Sequence, residues 1–237
     1  MRRISQIVVF AGAAILLVRA LPARAGLITG TNGLSGRGQF EGAVTYTPVS
    51  NVTAWLEITL TNTSPAAGGG YLTGFAFNNP SDRITHVELT ASNSKFMLLG
   101  GPAFQNFVSA GPFGNFDLGA AIGGSFEGGG NPHPGLGVGQ TGHFFFALTG
   151  THLDELTEKM FLTTPSAPPG DGQGNPAFAA RFRGFQGEPS SDKVLLDRVV
   201  VHQPEPRSGV LAGIGVLAVL ALPALRWARS SRHRSSA

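Results

Sequence analysis

The sequence predicts an all-β protein, specifically a jelly-roll-like antiparallel β-sandwich with one short helix, over residues 26–201. Apolar and polar residues alternate in several segments, which is the pattern of a half-buried strand. Clusters of Gly, Pro and Asn separate these segments, which favours a sandwich or barrel over alternating strands and helices. The chain contains no cysteine, so packing alone must hold the core, and a body of roughly 180 residues is long enough for that.

The clearest predicted strand lies in the segment NVTAWLEITLTNTS, residues 51–64. Val52, Ala54, Leu56, Ile58 and Leu60 alternate there with polar residues and with Trp55. By this alternation the aliphatic side chains face the core, and Trp55 lies on the polar face of the strand. Six further strands are predicted in QFEGAVTYTP (39–48), YLTGFAFNNP (71–80), RITHVELTAS (83–92), GHFFFALTG (142–150), AFAARFRGF (177–185) and KVLLDRVVV (193–201).

One segment, THLDELTEKMF at 151–161, reads as a helix. Thr151 is its predicted N-cap, Asp154 stands at the capping-box distance, and the apolar residues Leu153, Leu156 and Met160 share one face.

The region 100–142 is rich in glycine and predicts a long structured loop with one or two short strands. Its phenylalanines occur at irregular intervals, and each can pack the loop onto the sandwich. They are Phe104, Phe107, Phe113, Phe116 and Phe126.

The N-terminus predicts a signal peptide over residues 1–25. Arg2 and Arg3 precede an apolar run at 7–18, and Ala23 and Ala25 form an A-x-A site at which signal peptidase cuts after Ala25. The apolar run rises only about 18 Å as a helix, short of the roughly 30 Å hydrocarbon core, which disfavours a membrane anchor. The paired arginines leave twin-arginine export as an alternative route.

The C-terminus has three parts in a fixed order. Pro204, Glu205 and Pro206 form a short motif, and the uncharged segment 208–225 follows, long enough as a helix to cross a bilayer with slight thinning. A basic tail occupies 226–237, and the positive-inside rule places it in the cytoplasm and the body outside. The simplest alternative is a plain single-pass anchor. The tail arginines are Arg226, Arg229, Arg232 and Arg234.

In this order, the three parts of residues 202–237 resemble the PEP-CTERM sorting signal of Gram-negative bacteria that produce exopolysaccharide. The resemblance implies that an exosortase cuts near residues 204–206, so that the membrane helix is transient. It implies that the body passes to the cell surface or the extracellular matrix, where exopolysaccharide is the expected partner. The glycine-rich β body is similar to those that often carry this signal, most of which have no assigned activity.

Charge is divided unevenly along the chain. Nine of the 17 Lys and Arg residues lie in 1–25 or 207–237, so that residues 26–206 hold eight basic and 14 acidic residues, a net charge of −6. An acidic body lacks the basic surface that binds nucleic acid, and we therefore expect no nucleic-acid partner.

The sequence predicts neither a metal site nor a cofactor. His133, His143 and His152 do not have the spacing of a zinc motif. Residues 171–175 weakly resemble the start of a calcium loop, but Pro176 stands where such a loop needs glycine, so a turn is the interpretation.

Catalytic motifs are also missing from the sequence. No G-x-S-x-G motif surrounds Ser35, Ser109 or Ser125. A glycosidase needs only two carboxylates at the right separation, for which Asp117 and Glu127 are the candidates, although solvated loop acids are the simpler interpretation.

Two hypotheses for the function follow. The first is a non-enzymatic surface or matrix protein associated with exopolysaccharide or biofilm. The second is a secreted carbohydrate-binding module or carbohydrate-active enzyme on a jelly-roll fold. Trp55 is the candidate glycan contact, because alternation places it on the polar face of its strand; the alternative is that it packs beneath a neighbouring loop.

Overall fold

A computed structural model describes residues 25–167 and 175–201. It confirms an all-β protein with antiparallel sheets and one short α-helix. Within those two ranges, no helix is long and apolar enough to cross a bilayer. The predicted membrane segment 208–225, the motif 204–206, the basic tail and Ala23 lie outside the described residues, as does most of the segment 171–175.

The strands form two large sheets. Sheet A has the order β14 (Arg198–Val201), β1 (Ala25–Gly30), β2 (Phe40–Pro48), β3 (Thr53–Asn62), β11 (Thr141–Gly150) and β5 (Ile84–Ala91). Sheet B has the order β13 (Ser191–Leu195), β12 (Phe178–Phe185), β4 (Gly69–Phe77), β9 (Leu118–Ile122) and β6 (Phe96–Leu99), with β10 (Leu136–Gly137) also beside β4. A small ribbon pairs β7 (Val108–Ser109) with β8 (Asn115–Phe116).

The main core lies between the two sheets and contains side chains of both. Phenylalanine rings join the sheets directly: Phe75 of β4 meets Phe144 of β11 edge to face, with ring centroids 4.7 Å apart. Phe40 of β2 and Phe178 of β12 have centroids 5.7 Å apart. These rings are almost fully buried, and such aromatic pairs add to the stabilisation that burial alone provides. The two sheets are therefore the layers of one sandwich.

The glycine-rich region covers the outer side of sheet B. Ala76, Ala121 and Ala179 alternate with main-core residues along their strands, so they face away from sheet A. A second hydrophobic cluster forms over these alanines, and the predicted packing role of the loop phenylalanines is confirmed for the three that join it. They are Phe113, Phe116 and Phe126. Phe104 packs into the main core, which also confirms the prediction, whereas Phe107 is exposed.

The inner pairings of the sandwich are nested. β4 pairs with β12 in sheet B, β5 pairs with β11 in sheet A, and β6 pairs with β9 in sheet B. In sequence each pair lies inside the preceding one, since β5 and β11 lie between β4 and β12, and β6 and β9 lie between β5 and β11. Successive pairs alternate between the two sheets, and each pair is antiparallel.

Both ends of the described chain lie in neighbouring strands. Gly26 of β1 pairs with Val201 of β14, and β14 is an edge strand of sheet A. The carboxylate of Asp197, just before β14, accepts hydrogen bonds from the backbone and side chains of Thr31 and Asn32, just after β1. These hydrogen bonds hold the pKa of Asp197 below its usual range, against the effect of burial.

The structure contains strands that were not predicted, among them β1, β6 and β9, and region 100–142 holds more than the one or two short strands expected there. Three of the predicted elements also differ from the structure. The helix α1 spans Glu158–Thr163 rather than starting after Thr151, because Leu156 is extended and separates α1 from the short 3₁₀ turn Leu153–Glu155. The segment predicted as one strand at 193–201 forms β13 and β14, which belong to different sheets. Val52 lies before β3 and is exposed instead of facing the core.

Candidate functional site

The outward-facing positions of sheet A form an exposed surface that we call the threonine face. Along β2, β3 and β11, outward residues alternate with fully buried ones, as the pattern of β3 predicts. Threonine is the commonest outward residue, and its hydroxyl can both donate and accept hydrogen bonds. The exposed or half-buried threonines of this face are Thr29, Thr45, Thr47, Thr53, Thr59, Thr61, Thr90, Thr141 and Thr149.

Two aromatic side chains stand together on the threonine face. Trp55 is 41% exposed and Phe145 is 39% exposed. In the β3 and β11 register, Trp55 lies opposite Ala147 and Phe145 lies opposite Glu57, so the two rings are diagonal neighbours. Their centroids are 5.0 Å apart with an interplanar angle of 30°, and each ring therefore covers one face of the other. Trp55 is therefore an exposed side chain whose aromatic partner is Phe145 of the neighbouring strand.

Polar groups surround this aromatic pair. His143 Nδ1 lies 3.3 Å from the Thr59 hydroxyl and 3.9 Å from the Glu57 carboxylate. Glu88 of β5 pairs with Ala147, next to Trp55, and its side chain is exposed. The threonine face thus offers an aromatic pair, several hydroxyls and carboxylates on one side of a sheet.

The three histidines considered as metal ligands lie in separate environments. His133 stacks on Tyr71, with ring centroids 5.0 Å apart. His143 belongs to the threonine face, and His152 lies 3.6 Å from Glu155. Across residues 25–167 and 175–201, no three His, Asp or Glu side chains are arranged to hold a metal ion.

The two candidate acids have different partners. Asp117 is buried, and its carboxylate accepts the N–H groups of Asn79 at 2.8 Å and Asn106 at 2.6 Å. Burial raises the pKa of Asp117 above its usual range, although the two hydrogen bonds oppose that rise. Glu127 forms ion pairs with Lys193 and, at 3.9 Å, with Arg181. Both carboxylates therefore have structural contacts that attach the glycine-rich region to the body.

Sequence reasoning located Trp55 on an exposed strand face but missed Phe145. The run of three phenylalanines hides the alternation locally. The signal lies in the flanking residues, because Phe145 shares the parity of the polar residues Thr141, His143 and Thr149. No protein-family model matches this chain, and a search of curated proteins also finds no match.

Proposed function

We propose that this chain is an exported, exosortase-sorted, non-enzymatic protein of the cell surface or extracellular matrix that binds exopolysaccharide through the threonine face. The observation that carries the binding proposal is the exposed stack of Trp55 and Phe145. Large aromatic rings are normally buried, so a pair left on an open sheet face marks an interaction surface.

Sugars suit the chemistry of this surface. The C–H groups of a pyranose ring pack against the face of an indole or phenyl ring, and the hydroxyl groups exchange hydrogen bonds with threonine and carboxylate side chains. The free faces of Trp55 and Phe145 can pack against the sugar ring. Hydrogen bonds to its hydroxyl groups can come from Glu57, Glu88 and the threonines. Since the surface is an open sheet face, an extended polymer fits it better than a small enclosed ligand.

We also assign the sandwich to the jelly-roll type. Nested antiparallel pairing that alternates between two sheets is what results when one long hairpin rolls up into a sandwich. The pairs of β4 with β12, β5 with β11 and β6 with β9 support this assignment.

Both proposed cleavage sites border the folded body. Cleavage after Ala25 removes one residue of β1 and leaves Gly26 paired with Val201. Pro204 stands three positions after Val201 in the sequence, so a cut at the Pro-Glu-Pro motif also leaves residues 198–201 in the chain. The two cuts thus leave the pairing of Gly26 with Val201 in place.

Processing of the exported chain tests the sorting proposal. Peptide mapping of the protein recovered from its host is expected to show Gly26 as the first residue and no peptide beyond about Arg207. A chain in which Pro204 and Pro206 are both replaced by alanine should keep its C-terminal peptides. Recovery of the arginine-rich tail from mature wild-type protein would contradict sorting and leave a plain anchor.

Substitution of Trp55 tests the binding proposal. We expect Trp55→Ala to weaken retention of the protein on exopolysaccharide purified from the host by roughly tenfold or more, because it removes the larger ring of the stack. Retention can be measured by affinity electrophoresis of the full chain in a detergent without a sugar head group. Val49→Ala is the matched control, since Val49 is also an exposed apolar residue but lies beyond β2. Equal retention of Trp55→Ala and wild type would refute binding through this face.

A further inference from the structure

The layer that covers sheet B carries another exposed aromatic ring, Phe107, which is 66% exposed. A Cβ atom placed on Gly101 would lie 2.5 Å from both Cγ and Cδ2 of Phe107 and 2.7 Å from Cδ1. Because these three ring carbons are almost equally close to that point, the ring lies flat on the glycine backbone. Its other face is turned to solvent.

The backbone beside Phe107 is held in an unusual conformation. Phe104 and Asn106 both have positive φ angles, 45° and 54°, which are unfavourable for residues other than glycine. The N–H of Asn106 donates to the buried carboxylate of Asp117, and the ring of Phe104 is buried in the main core. Strain of this kind persists where surrounding contacts enforce it, and it is frequent at binding sites. These contacts hold the backbone on the N-terminal side of Phe107.

A cavity of about 300 Å³ lies next to Phe107, on the outer side of sheet B. Its lining includes the apolar residues Leu99 and Phe126 and the polar residues Ser109, Ser125 and Glu127. This volume is at the lower end of the range for small-molecule sites, so it suits a ligand of one ring. An exposed aromatic face, two hydroxyls and one carboxylate are the groups that bind a ring with several hydroxyls.

Glu127 is positioned for this role by two cations beneath it. Lys193 Nζ contacts its Oε1 atom and also the carbonyl of Gly111, and Arg181 lies 3.9 Å from its Oε2 atom. The side chains of Lys193 and Arg181 are only 11% and 15% exposed, whereas that of Glu127 is 44% exposed. The cations thus hold the carboxylate from the protein side, and Oε2 retains capacity to accept hydrogen bonds from a ligand.

We propose that this cavity is a site for one uncharged pyranose unit, stacked on Phe107 and hydrogen-bonded by Ser109, Ser125 and Glu127. The site stands on its own residues and lies on the opposite side of the sandwich from the threonine face. With both sites occupied by different polymer chains, the protein is a bivalent cross-linker of polysaccharide. Only this bivalence rests on the proposed function; the pocket does not.

The pocket can be tested by NMR titration of the full ¹⁵N-labelled chain in a detergent without a sugar head group. Glucose, galactose, mannose and N-acetylglucosamine are each added to about 100 mM, well above the millimolar Kd of a weak single-sugar site. At least one sugar is expected to shift the amide signals of Gly101, Ser109 and Ser125. Phe107→Ala should weaken that binding roughly tenfold.

Two further variants distinguish loss of the Phe107 ring contact from a general disturbance of the fold. Gly101→Ala keeps Phe107 but places a methyl group against its ring, so it should weaken binding as Phe107→Ala does. Leu34→Ala removes an exposed apolar side chain from a loop that does not line the cavity and should leave binding unchanged. Absence of shifts with all four sugars, or an unchanged affinity in Phe107→Ala, would overturn the pocket.

Failure of the pocket proposal can be distinguished from failure of the proposed polysaccharide binding by the threonine face. If Phe107→Ala binds sugar normally while Trp55→Ala loses retention on polysaccharide, the pocket is wrong and the threonine face stands. If Phe107→Ala loses sugar binding while Trp55→Ala retains polysaccharide fully, the pocket stands and the proposed function of the threonine face is wrong.

Discussion

Replacement of Asp192 by alanine is expected to lower the free energy of unfolding by about 3 kcal/mol and the melting temperature by roughly 6–12 °C. Asp192 is only 2% exposed. It accepts the backbone N–H groups of Ser35 at 2.8 Å, Arg37 at 2.8 Å and Gly38 at 2.9 Å. Alanine leaves these donors without their acceptor, and a buried donor without a partner costs more than the hydrogen bond itself stabilises.

Urea unfolding followed by circular dichroism measures this effect. Asp192→Asn is the graded comparison, because it keeps one acceptor oxygen but loses the charge and should fall between alanine and wild type. Glu88→Ala removes an exposed carboxylate of sheet A and should change the free energy of unfolding by less than about 0.5 kcal/mol. If Asp192→Ala unfolds at the wild-type urea concentration, the carboxylate does not organise the loop between β1 and β2.

Replacement of Phe75 by alanine is expected to have the largest effect on stability, a loss of about 3–5 kcal/mol. Phe75 is fully buried, and its ring contacts Phe77 and Phe178 within sheet B and Phe144 and Phe146 of sheet A. Its removal opens a cavity where the two sheets meet, and the large neighbouring rings cannot close that cavity without leaving their rotamers.

Phe145→Ala is the matched control for Phe75→Ala, because the same atoms are removed from an exposed position of the same sandwich. Its loss is expected to be about 1 kcal/mol, from the stack with Trp55. Thermal unfolding by circular dichroism compares the two variants directly. Equal losses in both would mean that the aromatic contacts between the sheets do not dominate the core.

Regular alternation made most of the long strands predictable from the sequence. Strand β3 has one buried and one exposed face, so its pattern is visible in the residues themselves. Strand β9 is not predictable in this way, because its sequence LGAAI is buried on both faces. The main core covers one face and the glycine-rich layer covers the other. A strand covered twice shows no alternation, and its small residues resemble those of a loop.

Sequence alone is limited in the same way for the threonine face and for the cavity beside Phe107. The exposure of Trp55 could be predicted from its own strand, whereas its contact with Phe145 depends on the register between β3 and β11. The position of Phe107 depends on a glycine six residues away and on Asp117, which no short-range pattern connects. The break between β13 and β14 at Leu196 and Asp197 is not predictable locally, because apolar residues at 194–196 and 199–201 lie on both sides of it. What separates the two strands is the hydrogen bonding of Asp197 to the loop after β1.

The pairing of β1 with β14 has a consequence for the order of folding. β1 is synthesised before the other strands of the sandwich and β14 after them, so β1 has one edge unpaired until nearly the whole sandwich has left the ribosome. An unpaired strand edge is a site where chains associate with one another. A chain whose synthesis stops before Arg198 therefore presents that edge permanently, and only the complete body closes it.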